Sequence, residues 1–165
     1  MSVSNWTAGD LASSERLAAM LPKMYDWTPD WSTTSGANIP TYGNAVIDCR
    51  YSKSGDLVVA HFDITFGSTT NFNAGTAGDN FIFSLPVASK EVTQAVGELI
   101  VGTSASGARV VCRARLFDVN NVEMEIDNNR LDSGAIANTG LVDRVSPFTF
   151  GANSSVKGFI EYEAA

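Results

Sequence analysis

Segments in which apolar and polar side chains alternate dominate this chain from about residue 45 onward. The alternation is clearest in residues 57–66, where every second position is apolar: Val58, Ala60, Phe62, Ile64 and Phe66. His61 and Asp63 fall on the opposite face. Successive side chains of a strand point to opposite sides of a sheet, so this period predicts a half-buried β-strand.

The same pattern, with short apolar runs, predicts about eight strands, at 45–51, 57–66, 80–85, 97–103, 108–117, 122–127, 147–151 and 156–163. Gly55 marks a tight turn between the first two strands. A turn at 119–121 joins 108–117 to 122–127 and places arginines opposite carboxylates across the pair. The fold class predicted is mainly β, an antiparallel β-sandwich or jelly-roll-like body.

Residues 1–44 have a different character and are predicted to form an N-terminal arm ahead of a β-sandwich domain at 45–165. The arm contains one short helix at about 10–21, which Asp10 caps and Pro22 ends. An extended aromatic segment follows it, and residues 32–44 form a linker rich in Ser, Thr, Gly and Asn. The total of 165 residues suits one sizeable core.

Composition excludes several classes of function. The net charge is −7 and the 11 basic residues are scattered, which argues against nucleic-acid binding. No apolar run is long enough to cross a membrane, and the first residues do not form a secretory signal, so we expect no membrane partner. Two cysteines make no disulfide framework and indicate a protein made in a reducing cytoplasm.

His61, the only histidine, lies in phase with Asp63 on one strand face. A His–Asp pair could serve a serine nucleophile. No Gly-x-Ser-x-Gly motif accompanies the pair, and a histidine on the open face of a sheet is the favoured interpretation.

The other candidate groups also have structural explanations. Glu123, Glu125 and Asp127 form a row that is more simply the solvated face of a hairpin than a glycosidase pair. Cys49 and Cys112 fall on apolar faces and lack the paired spacing of a metal site, so buried thiols are expected. The sequence therefore predicts no catalytic residue, no metal and no cofactor, and a protein that is not an enzyme.

Large apolar residues in the N-terminal arm are the candidate partner interface, because aromatic residues and Met are enriched in interface cores. These residues are Trp6, Leu17, Met20, Met24, Tyr25, Trp27 and Trp31. Packing of this segment onto its own β body and packing onto a partner remain open alternatives, and both can hold at once.

Several motifs together resemble a β-rich domain of tailed bacteriophages, especially those of actinobacteria. They are Asn5–Asp10, Trp27-Thr28-Pro29-Asp30-Trp31, Gly43-Asn44, Cys49-Arg50-Tyr51, Gly55–Val59, Gly67-Ser68-Thr69-Thr70, Phe81–Val87 and the C-terminal run Gly158–Ala165. The resemblance covers most of the chain and is densest at 27–87. Ala45 departs from the pattern, since the family usually has a second glycine there.

The resemblance implies a structural protein on the exterior of a virion, made in the bacterial cytoplasm and often assembled as a homotrimer. A capsid decoration protein, anchored through its N-terminal arm to the major capsid protein, is the leading expectation. A minor tail or fibre component, with other tail proteins as partners, is the alternative. Carbohydrate of the host surface is a further candidate ligand, through stacking on Trp27, Trp31 or loop aromatics.

Overall fold

The structure is a computed structural model that describes residue 21 and residues 23–72, 79–126 and 140–165. Except for Leu21, the helix predicted at 10–21 lies outside the described residues. The described part contains eleven strands and no helix. They are β1 (Tyr25–Trp27), β2 (Trp31–Thr33), β3 (Val46–Ile47), β4 (Cys49–Ser54), β5 (Leu57–Thr65), β6 (Phe81–Ser84), β7 (Gly97–Gly102), β8 (Arg109–Asp118), β9 (Asn121–Ile126), β10 (Gly140–Leu141) and β11 (Ser155–Glu163).

All eleven strands belong to one antiparallel sheet, which confirms the mainly β prediction. The order along the sheet is β1-β4-β5-β11-β7-β8-β9-β6-β2, with β3 added to β5 and β10 added to β9. The longest pairing joins β5 to β11 over nine residue pairs, from Leu57↔Glu163 to Thr65↔Ser155. The C-terminal strand therefore lies in the middle of the sheet.

The two ends of this sheet, β1 and β2, are consecutive in the chain. Only Thr28, Pro29 and Asp30 separate them. Four residue steps span at most about 14 Å, so the far edges of the sheet must lie close together. The sheet consequently curls around its apolar side chains, and the short connection holds its ends in place.

The core lies on the concave side of the curl. The alternation in β5 places its apolar face there, because Val58, Ala60 and Ile64 have no exposed surface. Phe62 and Phe83 are also buried, with ring centroids 6.0 Å apart. The faces assigned to β5 from its sequence are therefore correct.

Both predicted hairpins form. The β4–β5 turn consists of Gly55 and Asp56, and Gly55 adopts φ +60°, which glycine tolerates without steric cost. Residues 119–120 connect β8 to β9. Across that hairpin Arg113 lies opposite Glu125, as the sequence predicted.

The sequence-based assignment differs from the structure in several places. β1 and β2 lie within the segment assigned to the arm, so the sheet begins before residue 45. The prediction of a strand at 147–151 is wrong. The Asp143 carboxylate accepts the backbone N–H groups of Val145 and Ser146, both at 2.7 Å, and so folds the preceding chain into a turn. Pro147 has no N–H to offer a ladder.

Candidate interaction surface

The predicted interface residues are distributed between the core, the surface and the part of the chain outside the description. Trp6, Leu17 and Met20 lie outside the described residues. Trp31 is only 5% exposed, whereas Met24 is 43% exposed. Trp31 therefore packs against its own chain, whereas Met24 lies on the surface.

Trp31 is the centre of an aromatic cluster inside the curl. Its ring stacks on Phe66 with centroids 4.9 Å apart and meets the edge of Phe81 at 5.1 Å. Trp27 is half-buried against Phe62, with centroids 4.9 Å apart, and Tyr25 packs on Tyr51 at 5.6 Å. Because Trp31 is buried, it offers no open ring face on which a sugar could stack.

The motif residues Gly43-Asn44 and Gly67–Thr70 meet in one hydrogen-bonded clasp. The side-chain oxygen of Asn44 accepts the backbone N–H and the hydroxyl of Thr69, both at 2.8 Å. The Thr70 hydroxyl donates to the carbonyl of Tyr42 at 2.6 Å. These motif residues thus join two loops that are distant in sequence.

Glycines are required where the clasp closes. A Cβ on Gly43, which has φ +57°, would lie 2.3 Å from the carbonyl oxygen of Thr69. A Cβ on Gly67 would lie 2.1 Å from the Asn44 side chain. No larger residue could occupy either position without separating the loops. The clasp explains these motif residues as structural ones.

The convex face of the sheet carries a continuous row of outward side chains. Registers across three pairings align Arg50 on β4, His61 on β5, Phe159 on β11 and Glu98 on β7. The His61 and Phe159 rings have centroids 6.4 Å apart and are tilted by 38°. Phe159 is 49% exposed, so its ring is half open to solvent.

A cleft of about 480 Å³ opens on this convex face, at the β1–β4–β5–β11 side. We call it the outer-face cleft; its lining is Met24, Asp48, Arg50, His61, Phe62, Asp63, Gly158 and Phe159. Its volume lies within the range of small-ligand sites, roughly 300–1,000 Å³. The cleft combines an aromatic ring, a thioether and four polar side chains in one open depression.

Ion pairs fix the polar groups of the cleft. The Arg50 guanidinium donates from Nε to Oδ1 of Asp48 at 2.9 Å, and its Nη2 lies 2.9 Å from the same oxygen. Lys157 Nζ lies 2.7 Å from Oδ1 of Asp63. Within the described part of the chain, Oδ2 of each aspartate and the imidazole of His61 have no hydrogen-bond partner.

The His–Asp pair considered from the sequence takes a different form. Asp63 and His61 do share one face, but the carboxylate of Asp63 pairs with Lys157 on the neighbouring strand. His61 is exposed on an open sheet face, as the favoured interpretation of the sequence predicted. Among the residues that the structure describes, no carboxylate is hydrogen-bonded to the imidazole.

The glutamates of β9 form cross-strand ion pairs with β8. Arg113 Nη2 lies 2.7 Å from Glu125, and Arg115 Nε lies 2.6 Å from Glu123. Glu125 is 30% exposed and Glu123 only 3% exposed at the side chain. Two neighbouring Arg–Glu ion pairs therefore differ in burial. Asp127 lies outside the described residues.

Both cysteines are buried thiols, as predicted. Burial raises the pKa of Cys49 to about 11 and that of Cys112 to about 12, so both remain protonated at neutral pH. The described residues contain no group of three or more His, Cys, Asp or Glu side chains suited to a metal ion. They also contain no helix able to cross a membrane.

Comparisons of the chain with protein-family models, curated proteins and solved structures find no match. The motif clasp, the aromatic core and the outer-face cleft are therefore the features from which a function has to be inferred. The sequence alone had indicated the motif residues of the clasp and the position of His61 and Asp63 on one face of a strand. The cleft was missed, because Met24, Arg50 and Phe159 come together only through the strand order.

Proposed function

We propose that this protein is a structural, non-enzymatic component of the exterior of a tailed-phage virion. The leading assignment is a capsid decoration protein, assembled as a homotrimer and anchored to the major capsid protein through its N-terminal residues. It is made in the cytoplasm of the host bacterium. The observation that carries the proposal is the set of motifs that resembles the phage domain, densest at 27–87.

The motif clasp supports this proposal. The resemblance rests on Gly43-Asn44 and Gly67–Thr70 occurring together, and these two segments hold each other through hydrogen bonds at 2.8–2.9 Å. A loop clasp needs both halves, so the two motif segments of this chain have a shared structural role. Glycine, Asn and Thr act there through backbone geometry, which suits a structural role.

The N-terminal residues are proposed as the anchor because large apolar groups concentrate there. Leu21 is 68% exposed and Met24 is 43% exposed, so both apolar side chains are open to a partner. Trp6, Leu17 and Met20 precede them in the sequence. A partner surface that covers these groups would remove apolar area from water and stabilise the bound state.

Copy number tests the decoration assignment. Quantitative mass spectrometry of purified particles would measure this chain relative to the major capsid protein. A copy number comparable to that of the capsid protein is the expected result, and light scattering of the purified chain should give the mass of three chains. A few copies per particle would overturn the assignment.

A minor tail or fibre component is the second candidate, and the outer-face cleft favours it. An open cleft with an exposed ring and half-exposed polar side chains suits contact with a ligand rather than contact with a shell lattice. Under this assignment the chain would occur in few copies, with tail proteins as its partners. Immunogold labelling of intact particles would place it on the tail rather than on the head.

A further inference from the structure

We propose that the outer-face cleft binds a neutral saccharide. The Phe159 ring would lie against the apolar C–H face of one sugar. The carboxylates of Asp48 and Asp63 would accept hydrogen bonds from its hydroxyls. The inference concerns a cleft formed within a single chain, so it holds whether the protein sits on a head or on a tail.

The apolar surfaces of the cleft have the arrangement that a pyranose needs. A sugar ring presents C–H groups on its faces and hydroxyls around its rim. Phe159 is half exposed, and the His61 ring beside it is tilted by 38°, so the two rings make an open angle rather than a closed stack. Met24 adds a flexible apolar wall. The rings therefore leave one face on which a sugar can stack.

The polar groups match hydroxyls better than they match a charged ligand. Arg50 and Lys157 supply two positive charges beside three carboxylates, those of Asp26, Asp48 and Asp63, so the surroundings of the cleft are net negative and disfavour an anionic ligand. A charged ligand would compete with these ion pairs. A hydroxyl can donate to Oδ2 of Asp48 or Asp63 while Oδ1 keeps its own partner. The site therefore selects a neutral ligand rich in hydroxyls.

The ion pairs also prepare the site for binding. Asp48 and Asp63 have partners on the same sheet at 2.9 Å and 2.7 Å, which orient one oxygen of each carboxylate before a ligand binds. Because these side chains are about half exposed, the ordering is partial. Preorganised groups lower the entropic cost of association. The aspartates and His61 all lie on or beside strands of the sheet, which gives the site a rigid base.

Ligand-observed NMR on the full-length protein tests the proposal. The probes are the methyl glycosides of glucose, galactose, mannose and N-acetylglucosamine, with glucuronate as the charged counterpart of glucose. We expect at least one neutral glycoside to bind with a Kd below about 10 mM, and glucuronate to bind more weakly. Phe159→Ala should weaken that binding by about tenfold or more.

Phe117→Ala is the matched control, since Phe117 is also an outward phenylalanine, 42% exposed, and does not line the cleft. Binding equal to that of the unmodified protein is expected for this variant. Absence of binding by all four neutral glycosides, equal loss in both variants, or preference for glucuronate would each overturn the proposal. Self-association that Phe159→Ala abolishes, with no glycoside bound, would instead assign the cleft to a second copy of the chain.

Discussion

At the scale of single residues, Phe62 tests which face of β5 forms the core. It is 2% exposed and contacts Trp27 edge-on, with centroids 4.9 Å apart. Truncation would remove a buried ring and leave a cavity, so Phe62→Ala should lower the free energy of unfolding by about 3–5 kcal/mol. Urea denaturation measures it. Phe117→Ala should cost less than about 1 kcal/mol, because that ring is 42% exposed. Equal effects of the two substitutions would contradict the face assignment.

Asp79 is the residue through which acid should destabilise the fold. Burial alone would raise the pKa of its carboxyl, but hydrogen bonds from Ser35 and Asn38 outweigh burial and lower the pKa to about 2. Ser35 donates to Asp79 from its backbone N–H at 2.9 Å and from its hydroxyl at 2.7 Å. The carboxylate thus ties the loop after β2 to the segment before β6.

Because the folded pKa of Asp79 lies below its ordinary value of 3.8, this carboxylate stabilises the fold above that pH. The stabilisation is lost as the pH falls through about 2. Asp79→Asn should cost about 1–3 kcal/mol at pH 7, the usual effect of losing hydrogen bonds to a charged group. Urea denaturation across this pH range should show the difference between the two proteins shrinking as acid is added. A constant difference would assign the effect to packing.

At the scale of elements, the β8–β9 hairpin contains its own comparison of a buried and an exposed ion pair. Arg115→Met would leave Glu123, 3% exposed, without its cation, and should cost about 3 kcal/mol. Arg113→Met acts on Glu125, which is 30% exposed, and should cost less than about 1 kcal/mol. Thermal or urea unfolding of both variants provides the measurement. Equal losses of stability in the two variants would show that burial does not determine how much each ion pair contributes.

The β7–β11 pairing depends on two glycines, Gly97 and Gly158, that let the strands approach closely. Gly158 has φ +148°, and a Cβ there would lie 2.2 Å from the carbonyl oxygen of Glu98. Gly158→Ala should therefore cost roughly 2–4 kcal/mol, because backbone must move on both strands. Gly151 has nothing within 4 Å of the corresponding position, so Gly151→Ala is the control and should change stability little. Chemical denaturation of the two variants measures the difference in stability. An unchanged stability of Gly158→Ala would show that the strands can separate there without cost.

The long strands could be predicted from the sequence pattern, whereas the shortest strands could not. β5, β8 and β9 are long enough for a period of two to be recognised, and cross-strand pairing of arginines with glutamates followed from that period. β1, β2 and β10 have three residues or fewer, which is too short for a period, so they were not predicted. The segment at 147–151 has the alternation of a strand, but the turn held by Asp143 keeps it out of the ladder. Phe150 instead packs in the core beside Phe81.

At the scale of the whole molecule, the strand order determines what the sequence could not reveal. The outer-face cleft requires β4, β5 and β11 to be neighbours, and β11 ends the chain while β4 lies in its first third. Alternation states which residues share a face of one strand, but it does not state which strands are adjacent. His61 and Asp63 could be grouped from the sequence, whereas their contacts with Phe159 and Lys157 follow from the pairing of β5 with β11.

The curled sheet also predicts which N-terminal truncations fold. Deletion of 1–22 removes none of the eleven strands, so the truncated chain should still unfold cooperatively. Deletion of 1–35 removes β1 and β2, and with them Trp31 from the aromatic core, so it should abolish cooperative unfolding. Calorimetry of the two truncations measures both effects.

If the proposed anchor is correct, the shorter deletion will also fail to bind particles while remaining folded. A folded 36–165 fragment would contradict the role assigned to β1 and β2 in closing the sheet.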